Sequence, residues 1–159
     1  MSCHPVWNLI SLAVLPLMAV PWLAFSVTGN LGYLVILAGC VFCEALIKLT
    51  RKLPVVAEWQ LRPVGAADCG ICNDGGNYEG RIGMPSGHVA LTTYIAVSLV
   101  MMRGTCAKAM VLAAFAVILM ATSRVRRRCH TIPQVIVGAL LGAGMAVGGG
   151  RFVRLWQGM

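Results

Sequence analysis

The chain has 159 residues, of which 58% are hydrophobic and only 11% are charged, and its mean hydropathy is +0.81. A soluble domain ordinarily carries roughly 25% charged residues to cover its surface. So few charges exclude an ordinary soluble domain, and lipid must cover much of the exterior. The length predicts a single domain over residues 1–159, with no room for a separate soluble module.

Five apolar stretches have the length of membrane helices, because a crossing needs on the order of 20 mostly apolar residues. They cover residues 6–27, 31–49, 86–102, 106–122 and 132–150. The first contains Pro16 and Pro21 as tolerated kinks. It has no preceding Lys or Arg, which favours a retained helix over a signal peptide. The sequence predicts an all-α, polytopic membrane bundle with about five transmembrane helices.

Residues 50–84 form a predicted polar loop that holds every acidic residue except Glu44. With five helices, this loop and residues 123–131 fall on the same membrane face. That face carries most of the basic residues, and this modest bias favours a cytoplasmic position for it. The net charge of +8 then reflects loops near anionic headgroups, with Arg126, Arg127 and Arg128 facing them, and no nucleic-acid partner is expected.

Two polar clusters lie on that face. In Gly83–His88, Pro85 is placed to begin a helix, and the unpaired N–H groups of a helix start form an anion site. The second cluster is Ser123-Arg124, followed after five residues by His130 and then by Gln134 one helical turn later. Arg62-Pro63 precedes both in the loop. These residue types are suited to gripping a phosphoryl group, attacking it and protonating the group that leaves.

The sequence resembles the type 2 phosphatidic acid phosphatase superfamily, which has three motifs: Lys-x6-Arg-Pro, Pro-Ser-Gly-His and Ser-Arg-x5-His-x3-Asp. The second is complete as Pro85-Ser86-Gly87-His88, the third is present as Ser123-Arg124 with His130, and the first is half present as Arg62-Pro63. The resemblance covers about residues 44–145. It implies a helical membrane core of that family's kind and an integral membrane enzyme that hydrolyses lipid phosphates.

The resemblance also implies a role for each matching residue. His130 would be the nucleophile and form a phosphohistidine. His88 would be the general acid for the leaving group and then the base that activates water. Hydrogen bonds to the phosphate oxygens would come from Arg62, Arg124, Ser86 and the Gly87 amide. No metal or cofactor is implied, because the arginines supply the positive field. The implied partners are a lipid phosphate or diphosphate substrate and membrane lipids.

The first motif lacks its lysine, which belongs seven residues before Arg62, at a position occupied by Val55. Lys48 and Lys52 lie further upstream, and Lys48 is the better candidate for binding the phosphate. The alternative is that both lysines are interfacial anchors, which are common at the ends of membrane helices.

Gln134 stands where most members of the family have Asp. A carboxylate would stabilise charge on the histidine, whereas a neutral amide can still accept its Nδ1–H bond. Gln at this point is similar to the dolichyl-diphosphatase and glucose-6-phosphatase branches. We therefore favour a polyprenyl diphosphate or related lipid phosphate as the substrate, with Gln134 as a catalytic residue.

Cys69-x2-Cys72 has the spacing of half a zinc site, but no second pair follows, and a zinc cluster that includes Cys129 is disfavoured. A disulfide between Cys69 and Cys72 would require an oxidising compartment. The alternative to an enzyme is a catalytically inactive relative that serves as a structural membrane protein, which the missing lysine and the short chain keep open. The short loop with Asp68-Cys69 and Gly75-Gly76 is similar to small viral versions of the family.

Overall fold

Apolar helices account for most of the chain. The computed structural model describes residues 5–52, 54, 57–70, 75–104 and 106–157, except for the side chains of 103 and 152–157. The helices are α1 (Pro5–Leu12), α2 (Val14–Thr28), α3 (Gly32–Thr50), α4 (Gly87–Arg103), α5 (Ala107–Arg126) and α6 (Ile132–Gln157). The described residues contain no strand, so the all-α prediction is confirmed.

Four helical segments are long and apolar enough to cross a bilayer: Pro5–Thr28, Gly32–Thr50, Ala107–Arg126 and Ile132–Arg151. The apolar helix Gly87–Met102 is shorter. Large apolar side chains on these helices face outward; Leu9, Val27, Leu112 and Leu140 are all more than 60% exposed. Lipid must cover these side chains, and the chain is a multi-pass integral membrane protein.

The first predicted span is interrupted at Ala13, which separates α1 from α2. Pro16 causes this break, because its nitrogen cannot donate to the carbonyl of Leu12 and its ring crowds that turn. Pro21 lies inside α2, and the helix continues through it. The sequence therefore predicted the proline effect, while the structure shows which of the two prolines divides the helix.

Helix α4 lies at the centre of the bundle and packs against α2, α3, α5 and α6. Residues 83–96 are all buried. Two glycines of α6 allow this packing: a Cβ on Gly138 would lie 2.7 Å from the Ser86 carbonyl oxygen, and one on Gly142 would overlap the Ala90 carbonyl. Small residues at these positions let the two backbones approach closely, and the start of α4 is held against the start of α6.

The described part of the predicted loop contains one short 3₁₀ helix, Glu58–Gln60, and otherwise folds back on itself through isolated backbone pairs. The Arg62 amide donates to the Arg81 carbonyl at 2.9 Å, and the Gly83 amide donates to the Gln60 carbonyl at 2.8 Å. A disulfide between Cys69 and Cys129 ties the loop to the turn between α5 and α6. The loop therefore lies over the ends of α3 and α5 and the starts of α4 and α6.

Candidate active site

His130 and Gln134 contact each other at the start of α6, as their spacing indicated. His130 Nδ1 lies 3.1 Å from Gln134 Oε1. The Gln134 amide nitrogen donates to two backbone carbonyls, those of Trp59 at 3.0 Å and Leu61 at 2.7 Å. These two bonds fix the orientation of the amide, so that its oxygen, which is an acceptor, faces His130 Nδ1. His130 Nδ1 must therefore carry the hydrogen, and the lone pair lies on Nε2.

The surroundings of His130 keep its imidazole neutral. The ring is 2% exposed, and burial, followed by the positive charges of Arg62, Arg124 and Arg51, holds the pKa of His130 well below its usual value, although the bond with Gln134 acts in the opposite direction. A neutral ring with its lone pair on Nε2 is the form that can attack an electrophile.

Arg62 brings a guanidinium group directly to that lone pair. Its Nη1 lies 3.5 Å from His130 Nε2 and donates to the Cys129 carbonyl at 2.9 Å. The guanidinium carbon lies 5.1 Å from the centre of the Tyr78 ring, a cation–π distance. Arg62 is 7% exposed, so an anion bound beside it would be largely shielded from water.

Arg124, in the last turn of α5, is fully buried among neutral oxygens. Its Nη1 donates to the Ser11 hydroxyl and its Nη2 donates to the Cys69 carbonyl at 2.8 Å. A guanidinium has five N–H donors, and the Nε of Arg124 has no hydrogen-bond partner among the described residues. Such a buried cation with spare donors favours an anionic ligand.

The start of α4 presents two further buried polar atoms. Ser86 Oγ and His88 Nε2 have no hydrogen-bond partner among the described residues. Ser86 is the N-cap residue of α4, yet its hydroxyl makes no capping bond, so it can donate to a ligand. The first N–H groups of the helix, beginning with Gly87, have no intrahelical acceptor. His88 lies within the electrostatic influence of four arginines, which are Arg124, Arg127, Arg62 and Arg51.

Arg51, rather than Lys48, lies at this helix start. Lys48 is exposed on the last turn of α3, and no described contact joins it to the histidines or the arginines. Arg51 follows α3 and donates from Nη2 to the Pro85 carbonyl at 2.9 Å. Burial lowers the pKa of Arg51, and Glu44 partly offsets this effect. Sequence reasoning missed Arg51 because its distance from Arg62 does not match the family motif.

Two other residues were also missed or misread. Ser11 stands in an apolar stretch, and its contact with Arg124 depends on the packing of α1 against α5, which no local pattern reveals. Arg127 was expected to face the headgroups, and that prediction is wrong. Its side chain is 2% exposed and forms a 3.1 Å ion pair with Asp68, while Arg126 and Arg128 are exposed.

The structure also decides between the alternatives for the cysteines. Cys69 is bonded to Cys129, so neither a bond from Cys69 to Cys72 nor a zinc site using Cys69 fits this structure. Cys72 lies outside the described residues. Within the described part of the chain, no group of three or more His, Cys, Asp or Glu side chains could hold a metal ion.

The fold and the site define the class: a multi-pass helical membrane protein with a buried site of histidines and arginines at one end of the bundle. The sequence profile of the PAP2 superfamily matches residues 29–157, and the chain belongs to that superfamily. Its members are phosphatases, and lipid phosphates and membrane lipids are the partners that the family suggests. No curated protein and no solved structure matches the chain.

Proposed function

We propose that the chain is an integral membrane phosphatase that hydrolyses a lipid phosphate or polyprenyl diphosphate through a phosphohistidine intermediate. The observation that carries the proposal is the pair formed by His130 and Arg62: a neutral, buried imidazole whose Nε2 faces a guanidinium at 3.5 Å. A phosphoryl group at that point would meet a nucleophile and a positive charge together.

The first step would be attack of His130 Nε2 on phosphorus. The bond from that phosphorus to the leaving oxygen breaks, and His88 gives its proton to this oxygen. The leaving oxygen is the lipid oxygen in a monophosphate and the bridging oxygen in a diphosphate. His88 then takes a proton from water as the water oxygen attacks the phosphohistidine. The P–N bond breaks, inorganic phosphate forms, and His130 returns to its neutral state. Arg62 and Arg124 would hold the non-bridging oxygens throughout.

The choice of a lipid substrate follows from where the site lies. The buried start of α4 adjoins helices whose outer faces are apolar, so a phosphate reaching it most readily carries a lipid chain. Gln134 supports the dolichyl-diphosphatase-like reading, because it uses both ends of its amide, orienting His130 with its oxygen and binding two carbonyls with its nitrogen. A carboxylate at this position could not make the latter two bonds.

The direct test is release of inorganic phosphate by the purified protein in detergent, with EDTA present throughout. Matched lipid monophosphate and polyprenyl diphosphate substrates should be compared at equal concentration. We expect turnover of at least one of them and no loss on chelation, because arginines supply the charge. Absence of turnover on both would favour an inactive structural relative. Full loss on chelation, restored by Mg²⁺ or Zn²⁺, would replace the histidine mechanism with metal chemistry.

Arg51 and Lys48 provide a matched pair of predictions. We propose that Arg51, whose Nε has no partner among the described residues, also donates to the substrate phosphate. Arg51→Gln should then raise KM roughly tenfold or more, because a hydrogen bond from a charged donor to the substrate typically contributes about 1.5–3 kcal/mol. Lys48→Gln removes the same charge from the same end of α3 and should leave KM within about twofold, as expected for an exposed side chain. Steady-state kinetics of both variants would measure this. The reverse order of effects would identify Lys48 as the phosphate ligand.

Gln134 should act on kcat through the orientation of His130. Gln134→Ala removes the acceptor for Nδ1–H and should lower kcat roughly ten- to a hundredfold, since such a bond contributes about 1–3 kcal/mol. Gln134→Glu keeps an acceptor and should retain more activity than Ala. The new carboxylate would face the Trp59 and Leu61 carbonyls without donating to them, so the melting temperature of the Gln134→Glu variant should fall. A wild-type kcat in Gln134→Ala would show that His130 needs no such partner.

The disulfide indicates which side of the membrane the site faces. Disulfides persist in oxidising compartments, and Cys69–Cys129 lies on the face that carries the site. The excess of basic residues on this face is now a weaker argument for the cytoplasm. Three of them, Arg62, Arg124 and Arg127, are buried and do not lie in open loops. We therefore expect the site to face away from the reducing cytoplasm.

A labelling experiment in intact cells checks this orientation. Cys106 is an exposed free thiol at the far end of α4 and α5, so it should resist a membrane-impermeant maleimide. A Lys52→Cys variant, exposed near the site, should be labelled, with mass spectrometry locating the adduct. Labelling of Cys106 with protection at position 52 would place the site on the cytoplasmic face.

A further inference from the structure

The Cys69–Cys129 disulfide joins the two residues whose carbonyls hold the arginines of the site. The Cys129 carbonyl accepts from Arg62 at 2.9 Å, and the Cys69 carbonyl accepts from Arg124 at 2.8 Å. The two Cα atoms lie 5.5 Å apart although 60 positions separate them in the sequence. One covalent bond thus fixes the separation of two acceptors and, through them, of two guanidinium groups.

Cys129 is also part of the turn that presents the nucleophile. The amides of Cys129 and His130 both donate to the Arg124 carbonyl, at 3.0 and 3.3 Å. The backbone of Arg124 therefore supports the turn, while its side chain reaches across to Cys69. The disulfide covalently links the loop to this turn, which connects the end of α5 with the nucleophile.

Few apolar contacts hold the loop in place without this bond. The buried apolar residues of the loop cluster are Ala66, Cys69 and Cys129, with Tyr78 packed partly against them. Arg127 also joins turn and loop, through a 3.1 Å ion pair with the Asp68 side chain and a 2.7 Å bond from Nη2 to the Asp68 carbonyl. These bonds are non-covalent and act on the residue before Cys69. The covalent bond is thus the strongest restraint on the Cys69 carbonyl.

We infer that the Cys69–Cys129 disulfide is a positioning device for the two arginines, so that phosphate binding and turnover depend on its oxidised state. The inference rests on the proposed function, because it assigns those arginines to the substrate phosphate. A dithiol such as dithiothreitol supplies two electrons and two protons. The S–S bond becomes two thiols, and the dithiol closes to a cyclic disulfide. The loop can then move from the turn, and the Cys69 carbonyl leaves Arg124.

The experiment compares oxidised and dithiothreitol-reduced protein in detergent, with alkylation and mass measurement to prove reduction. It records kcat and KM for a lipid phosphate, and equilibrium binding of inorganic phosphate. The Cys69→Ser variant tests the same loss without a reductant. Cys106→Ser is the matched control, an exposed free thiol at the far end of the bundle. Cys72→Ser controls for the other cysteine of the loop.

We expect reduction and Cys69→Ser to raise KM and to weaken phosphate binding in parallel, roughly tenfold, as expected when a bond to a charged donor is lost. Oxidised glutathione should restore the reduced wild type and leave Cys69→Ser unchanged, and both control variants should behave as wild type. The inference is overturned if fully reduced protein keeps its KM and phosphate affinity, or if only the melting temperature falls. If phosphate binding depends on the redox state but no turnover is detected, the inference is supported and the proposed function is contradicted.

Discussion

Replacing His130 by Ala should lower turnover at least about a thousandfold, to the background of the assay. No other described side chain presents a neutral imidazole nitrogen to Arg62, and without Nε2 the P–N bond cannot form. The acid-labile phosphoenzyme that the wild type forms during turnover should also disappear. Rapid acid quenching with a ³²P-labelled substrate would measure the phosphoenzyme, and phosphate release would measure turnover.

The control for this variant is Ser26→Ala, a change on the exposed face of α2 that removes only a local hydroxyl bond to the Trp22 carbonyl. It should retain normal rates and normal elution in detergent. His130→Ala should elute in the same way, because the smaller side chain still leaves Gln134 bound to its two carbonyls. Near-normal turnover in His130→Ala would exclude the phosphohistidine mechanism.

Replacing His88 by Ala should slow hydrolysis of a natural lipid phosphate by about a hundred- to ten-thousandfold, the range attributed to general acid–base catalysis. The lipid oxygen is a poor leaving group without a proton, so the first step suffers most. With p-nitrophenyl phosphate, whose leaving group needs no proton, His130 should still become phosphorylated. Water would then attack slowly, because the base that activates it is missing, and phosphoenzyme should accumulate.

The diagnostic comparison is a burst of p-nitrophenol from His88→Ala against steady release from the wild type. Thr93→Ala is a matched control, because it also removes a buried polar group of α4 that has no described partner, farther along the helix. It should show no burst. Equal loss of rate for activated and natural leaving groups in His88→Ala would assign His88 to binding or folding instead of proton transfer.

The sequence was informative wherever a short-range pattern determines the structure. Apolar length located the membrane helices, and the i,i+4 spacing of His130 and Gln134 placed both on one face, where they contact each other. These features depend only on residues within a single helical segment. The roles of the motif residues, the single domain over residues 1–159 and the dolichyl-diphosphatase-like branch stay predictions.

The features that the sequence did not reveal all depend on contacts between distant segments. Arg51 reaches Pro85 because α3 ends beside the start of α4, and Ser11 reaches Arg124 because α1 packs against α5. Cys72 was the only disulfide partner considered for Cys69 from the sequence, whereas the folded loop brings Cys129 to it. Helix packing determines these pairings, and the spacing of residues along the sequence does not predict them.

The contact between Ser11 and Arg124 has a consequence for anyone who shortens or recombines this protein. Ser11 lies outside residues 29–157, which carry the family match, yet it holds an arginine inside that region. A version that begins after α2 would keep every motif and lose one of the acceptors of Arg124, along with the helix that shields it. The first span is therefore needed to hold Arg124 in the site. A generic membrane anchor put in its place would need a hydroxyl at the position of Ser11.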